Sequence, residues 1–321
     1  MDFADSNELK SKRVLVTGAG GFIGARACRW AAERGANVLG LVRCETRSWR
    51  LKEIPPGFYV TECDITGFEK LRDCVIGFKP EVIIHTAISY GHPHDANARL
   101  EQANITINGM VNLLESAALV PSVSIVHVGS SLAYGHYSQQ IKETFPYRPV
   151  CMRGALKASQ TLICRQMARE IGISLKIINP FSVYGPEEDS AHFIPTAISH
   201  ALKNEGICLT DRECRHDFVY IDDVIEACFL AATHHGEPGE EFNIGTGVQV
   251  TNEEVIATLA EILGKEISIE NGYFPVSRHD TNNWVCDVTK AKEMLGFSPR
   301  HSLVAGLAKT VEWHKRILGL K

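Results

Sequence analysis

Val14-Leu15-Val16-Thr17-Gly18-Ala19-Gly20-Gly21-Phe22-Ile23-Gly24 decides the fold. Four aliphatic or β-branched residues run into a glycine-rich turn, and an amphipathic window, Gly24–Arg34, opens directly behind it. A short continuous apolar run suits a strand covered on both faces, whereas the segment after the glycines repeats at helical spacing. A strand, a tight turn and a helix with glycines at 18, 21 and 24 form the arrangement that holds a dinucleotide. Gly18 permits the turn, Gly21 lets backbone approach a pyrophosphate, and Gly24 lets the helix sit close to the sheet. The helix start, Phe22 and Ile23 included, then offers unpaired N–H groups to the phosphates. A glycine turn without a ligand is the weaker reading, because the correct signals flank it on both sides.

Outward from that turn the same rhythm recurs. Val38–Val42, Phe58–Thr61, Val82–His85, Ser124–Val128 and Ser174–Asn179 read as strands, and Glu69–Phe78, Asn97–Ala118 and Gly154–Glu170 as the helices between them. Alternation of this kind predicts an α/β fold of Rossmann type, a doubly wound parallel sheet with helices on both faces. From about Tyr184 the alternation loosens. Phe193–Lys203, Asp222–Ala232, Asn252–Leu263, Val288–Leu295 and Leu303–Ile317 read as helices, Glu241–Ile244 as a strand and Asn271–Thr281 as a loop. The expected division is a cofactor-binding domain from 1–183 plus about 216–247, and a smaller, mostly C-terminal α/β substrate lobe from about 184–215 plus 248–321.

Composition excludes several classes. The 321 residues carry 33 Lys and Arg against 38 Asp and Glu, a net charge of −5, so there is no basic surplus for a nucleic acid polymer. No apolar stretch is long enough to cross a bilayer, and the polar N-terminus lacks a signal-peptide core, so a cytoplasmic protein is expected. The ten cysteines are scattered with no C-x-x-C pair, which reads as small core residues. His92-Pro93-His94 is too isolated for a metal site, and none is expected.

Strand ends indicate how the cofactor is held. A carboxylate about 20 residues beyond the glycines would accept from the adenosine ribose and repel a 2′-phosphate. Val42-Arg43 stands there instead, which favours NADP over NAD, with Arg47 and Arg50 as possible assistants. Asp64-Ile65 follows the third strand and is placed to meet the adenine edge. His85-Thr86-Ala87 ends the fourth, where small residues let a cofactor pass.

Further motifs follow in order: Asn112-Leu113-Leu114-Glu115-Ser116-Ala117; Ser130-Ser131-Leu132-Ala133-Tyr134-Gly135; Pro180-Phe181-Ser182-Val183-Tyr184-Gly185-Pro186; Arg215-His216-Asp217-Phe218-Val219-Tyr220-Ile221-Asp222-Asp223-Val224; Phe242-Asn243-Ile244-Gly245; and Arg278-His279-Asp280. The chain resembles the extended short-chain dehydrogenase/reductases of the nucleotide-sugar epimerase/dehydratase family, nearly end to end. That resemblance implies an oxidoreductase acting on a nucleoside-diphosphate sugar, with Arg278 and Arg215 holding its phosphates and Ser182 and Tyr90 lining its site. It implies a homodimer too, through a bundle in which Leu156, Leu162, Ile163 and Met167 would meet Ile107, Val111 and Leu114. These residues could equally be core stripes.

The family chemistry runs through a serine or threonine and a tyrosine spaced Y-x-x-x-K from a lysine. Ser130 fits the serine and Lys157 the lysine, which the resemblance implies holds the nicotinamide ribose, but the tyrosine position is Arg153. A guanidinium is protonated at all accessible pH and cannot move a proton. Tyr90, His92, Tyr134 and His136 are candidates for a replacement acid; alternatively Arg153 polarises a carbonyl. Ser131-Leu132 replaces the acidic pair of the 4,6-dehydratases, which argues against that reaction. Arg43 and the Ile88–His92 loop favour a 4-keto-deoxysugar reductase, with an epimerase as the alternative. A regulatory protein that binds cofactor and nucleotide sugar without turnover is a further class.

Overall fold

The computed structural model describes residues 9–43, 49–52, 54–89, 95–209, 214–270 and 281–320. The first strand, β1 (Arg13–Thr17), leads through the glycine turn into α1 (Phe22–Glu33), then β2 (Asn37–Val42), β3 (Phe58–Glu62), α2 (Phe68–Phe78) and β4 (Val82–His85). Next come α3 (Ala96–Ala103), a π-helical turn over Asn104–Asn108, α4 (Gly109–Ala117), β5 (Ser124–Val128), α5 (Met152–Ile171) and β6 (Ser174–Pro180). The remainder is β7 (Ser182–Tyr184), α6 (Phe193–Lys203), β8 (Ile207–Cys208), β9 (Arg215–His216), β10 (Phe218–Tyr220), α7 (Ile221–Thr233), β11 (Glu240–Ile244), β12 (Val250–Thr251), α8 (Asn252–Leu263), β13 (Ile269–Glu270), α9 (Thr289–Leu295) and α10 (Leu303–Leu318).

Seven strands form one parallel sheet in the order β11-β6-β5-β4-β1-β2-β3. The chain runs outward from β1 to β3 and restarts at β4 on the other side of β1. That reversal opens a crevice beyond the carboxyl ends of β1 and β4, where ligands bind in such sheets. Side chains alternate between faces as the pleat dictates. Val14, Val16, Val126 and Ile178 pack with Ala27, Cys28 and Ala31 of α1 and with Val224, Cys228 and Phe229 of α7. Leu15, Ile83, Ile125 and Ile177 face Leu71 and Val75 of α2, Met110 and Leu113 of α4, and Cys164 and Ala168 of α5. The first cluster continues into Ile194, Val255, Leu307 and Val311, so the later helices share a core with the sheet.

The helix expected over 97–118 is interrupted. Hydrogen-bonding shifts at Asn104–Asn108, where the β-branched run Ile105-Thr106-Ile107 weakens helical preference. Short strands missing from the sequence reading pair as β7 with β10, β9 with β12 and β8 with β13. Two acids of the Arg215–Val224 motif hold segments together. Asp217 is wholly buried and accepts from Thr246 N and Oγ1, Gly247 N, and Cys286 N and Sγ. Asp223 accepts from Arg300 N, His301 N and His301 Nδ1.

Candidate active site

The glycine turn closes on β4. Gly18 sits at φ +70°, and a Cβ there would lie 2.8 Å from Ala87 Cα and N. One on Gly24 would lie 2.2 Å from Gly18 O and 2.7 Å from Thr86 Oγ1. Thr86 Oγ1 donates to Thr17 O at 2.7 Å, and Ala19 N donates to Leu41 O at 3.1 Å. Gly18, Gly21, Gly24, Thr86 and Ala87 are therefore brought together. Gly21 caps α1 with no side-chain bond, and no acid stands in the first turn, so the N–H groups beside Phe22 and Ile23 face outward without a carboxylate in the way.

At the outer strand ends the expectations fare unevenly. Arg43 pairs with Glu101 of α3 at 2.6 Å, both half exposed, so its charge is already partnered. Arg50 donates to Glu187 O at 2.8 Å, and Arg47 lies outside the described residues. Asp64 Oδ1 accepts from Thr66 N and Oγ1, which shapes its own turn. Asn112 of α4, in the motif Asn112–Ala117, holds that turn by donating to Ile65 O and Thr66 O.

Ser130, Arg153 and Lys157 converge beyond β5. A Cβ on Gly154 would lie 2.4 Å from Leu132 O, so the start of α5 rests on the turn after Ser130. Ser130 Oγ caps that turn, accepting from Leu132 N, while Ser130 N donates to Asn179 Oδ1. Lys157 is 6% exposed and donates to Val128 O at 2.8 Å and to Gln160 Oε1 at 3.2 Å. Gln160 Nε2 donates to Thr106 O at 2.9 Å, using a carbonyl of the π turn, and lies 3.2 Å from His85 Nε2. Because a carbonyl only accepts, this bond fixes which end of the amide is nitrogen; His85 then accepts at Nε2 and carries its proton on Nδ1, 2.7 Å from Thr17 Oγ1. A polar layer thus runs from the glycine strand to Lys157 beneath the crevice.

Burial sets its electrostatics. His85 is pushed down to about 3 by desolvation and by Lys157, and His127 goes down for the same two reasons and His85. Lys157 is pushed down to about 7, chiefly by desolvation, with Arg153 adding like charge. Neither ring nitrogen of His127, nor Thr106 Oγ1 or Thr161 Oγ1, has a partner. Sequence reasoning missed His127, Gln160 and Asn179, and placed His85 at the end of the fourth strand without this role. For the histidines and Asn179, polar residues inside the otherwise apolar strands β4, β5 and β6 were the available signal; Gln160, on α5, had none.

Two of the candidate acids lie among the described residues. Tyr134 is fully buried, donates to Asn243 Oδ1 at 3.0 Å and accepts from Asn179 Nδ2 at 3.3 Å; burial, with Glu241 and Glu143 nearby, drives its phenol up. His136 is exposed beyond the turn. Tyr90, His92 and Arg278 lie outside the described residues. Ser182 Oγ meets His216 Nδ1 at 3.2 Å, which brings Ser182 beside Arg215, an exposed residue whose N donates to Thr281 O. Among the described residues no group of His, Cys, Asp and Glu could hold a metal ion, and no helix is long and apolar enough to cross a membrane.

This geometry has relatives. Residues 14–245 match the model of the NAD dependent epimerase/dehydratase family. The chain belongs to that family of enzymes. It is 29% identical over 312 residues to the UDP-glucose 4-epimerase of Mycolicibacterium smegmatis, covering 94% of this chain and 98% of that one. It is 26% identical over 314 residues to a dTDP-glucose 4,6-dehydratase of the same organism, covering 94% and 93%. Among solved structures, a Thermotoga maritima UDP-glucose 4-epimerase with UDP-glucose superposes with a TM-score of 0.86 at 28% identity, covering 95% of this chain and 99% of that one. A Thermus thermophilus UDP-glucose 4-epimerase complex with NAD gives 0.83 at 25%, covering 94% and 99%. The cradle that Cβ atoms at 18 and 24 would fill, with its open helix start, fits the dinucleotide that the family name implies.

Proposed function

We propose that the protein is a nucleoside-diphosphate-sugar 4-epimerase that retains NAD. The observation that carries this reading is the meeting of an intact glycine cradle with Ser130 and Lys157 across one crevice, at the ends of β1, β4 and β5. NAD, when bound, takes up and returns a hydride. Gly18, Gly21 and Gly24 with the α1 N–H groups would hold its pyrophosphate, and Thr86 and Ala87 line its path. Ser130 hydrogen-bonds the sugar oxygen where charge develops. Arg215, Arg278 and Ser182 hold the nucleotide, with 184–215 and 248–321 closing over it. Ser131 and Leu132 supply no carboxylate for dehydration, which argues against that branch of the family.

The reductase alternative rests on Arg43, and an arginine already paired with Glu101 gives NADP less support than the sequence suggested. NAD is the better choice, in keeping with the NAD complex among the relatives. A homodimer through α3–α5 is also proposed: Leu162 is 48% exposed and Ile163, Met167, Ile107 and Val111 are partly exposed, although Leu114 and Leu156 belong to the monomer's own core. The test is incubation with UDP-glucose and no added cofactor. UDP-galactose should form, and denaturation should release NAD in equal amount to protein. Steady NADPH consumption with a nucleotide 4-ketosugar would favour the reductase, and sugar binding without conversion would favour the regulatory class; either result refutes the epimerase.

A further inference from the structure

Oxidation of a sugar carbinol needs a group that takes the hydroxyl proton and gives it back. Arg153, at the position where the family places its tyrosine, cannot do so. Building on the oxidoreductase reading above, we infer that Lys157 itself moves that proton: its neutral amine accepts it and its ammonium form returns it.

The geometry matches the valence of an amine. A neutral amine has two N–H groups and one lone pair. Val128 O and Gln160 Oε1 take the two N–H groups, at 2.8 and 3.2 Å, and leave the lone pair for a proton. Gln160 cannot turn its nitrogen towards Lys157 without losing Thr106 O, so its oxygen is held in place. Val128, whose O accepts from Lys157, lies at the end of β5 two residues before Ser130, whose Oγ caps the turn that follows.

The surroundings favour the neutral form. A buried ammonium is ordinarily matched by a carboxylate, yet both hydrogen-bond partners of Lys157 are uncharged. Arg153 stands one turn earlier on the same face of α5 and adds like charge. Of the other titratable groups that face it, His85 on β4 and His127 on β5 are held neutral by burial; Cys164 on α5 pulls the other way, though burial drives its own thiol up, and desolvation of the amine outweighs it. Lys157 is accordingly pushed down to about 7, where amine and ammonium coexist, as a proton shuttle requires.

The step balances. The carbinol C–H bond breaks and its hydrogen leaves with both electrons to the oxidised nicotinamide. The O–H bond breaks, its proton goes to the Lys157 lone pair, and its electron pair completes the C=O bond. Return of the hydride to either face of the ketone draws the proton back from the ammonium.

Two measurements test this. In protein labelled with nitrogen-15 lysine, one side-chain amine, missing from Lys157→Arg, should titrate near 7 by NMR. Arg153→Gln should raise that midpoint. Hydride transfer from UDP-glucose in NAD-loaded enzyme, followed as NADH absorbance, should show the same midpoint and the same displacement. Lys157→Arg keeps the charge and cannot release it, so hydride transfer should fall by about 100-fold or more while NAD affinity is kept. A Lys157 midpoint near the ordinary ~10.4, turnover retained in Lys157→Arg, or loss of the pH-dependent limb in Tyr90→Phe would each overturn the inference. Hydride transfer with a high lysine midpoint overturns the lysine role alone. A midpoint near 7 without hydride transfer to any nucleotide sugar overturns the proposed function, and the proton role with it.

Discussion

Replacing Gly24 by Ala tests whether the glycine turn is built for close approach. The added Cβ would lie 2.2 Å from Gly18 O and 2.8 Å from Gly18 C, against 3.4 Å where ordinary contact begins. Helix α1 must therefore recede by about 1.2 Å (3.4 − 2.2), because a backbone carbonyl within the turn has no rotamer by which to escape. Alanine in a helix interior gains up to about 1 kcal/mol over glycine, whereas overpacking of this kind costs about 1–3 kcal/mol. The expected balance is a loss of about 1–2 kcal/mol. Gly77 of α2 is the control: it is also helical, but a Cβ there meets nothing within 4 Å, so Gly77→Ala should gain up to about 1 kcal/mol. Withdrawal of α1 by that distance stretches the N–H groups out of range of a phosphate, and loss of one charge-assisted bond is worth about 1.5–3 kcal/mol. NAD affinity should fall about tenfold or more in Gly24→Ala and stay unchanged in Gly77→Ala. Urea unfolding and NAD fluorescence titration measure the two effects. Equal stabilities with NAD binding intact in both variants would refute the reasoning.

Two more consequences follow from the buried polar groups. His127 is depressed in the folded protein, so the unfolded chain binds its proton first as pH falls below about 6.5. The stability it provides is present above that pH and lost below it, at about 1.4 kcal/mol per unit. His127→Leu should remove that slope, and the wild-type minus variant difference cancels the opposing slopes of the raised carboxyls Asp217, Glu143 and Glu188. Urea midpoints at pH 7 and pH 5 that shift equally in both proteins would contradict this. Tyr134→Phe should cost about 1–3 kcal/mol, since it leaves the buried Asn243 and Asn179 amides a partner short. The pH profile of hydride transfer should not change; a lost limb without lost stability would make Tyr134 the acid after all.

The parallel sheet was legible because buried strands carry their signal in consecutive residues: Val82–His85 and Ser124–Val128 read from the sequence are the strands observed. The cradle was legible because glycine spacing encodes steric limits that only backbone can meet. The π turn at 104–108 was hidden, since one extra residue in a helix leaves hydrophobic periodicity almost unchanged over a short window. Two-residue strands such as β8 and β12 carry too few side chains to show a period. The polar layer was hidden for another reason. Thr17, His85, Gln160 and Lys157 are scattered from residue 17 to residue 160 and become one hydrogen-bonded chain only when β1, β4 and α5 come together. Arg43 shows another limit: its ion pair with Glu101 of α3, 58 positions away, could not be read from the sequence.

If Lys157 moves the proton as proposed, the same layer accounts for an arginine at 153, where the family resemblance places a tyrosine. A phenol at 153 would be served by a charged Lys157, because a nearby ammonium favours its ionised form. An arginine inverts that demand, for its charge one turn from the buried Lys157 adds to the cost of an ammonium there, and the cheaper arrangement gives up one proton. Arg153 cannot release its own. Lys157 can, and the fold already holds it between two neutral acceptors with no carboxylate among its hydrogen-bond partners. His85 and His127, neutral themselves, do nothing to restore the missing anion. On that proposal Arg153 and the layer push in one direction, towards an uncharged Lys157, and the two need each other: a carboxylate at Gln160 would hold the lysine charged and leave no neutral amine to take the proton.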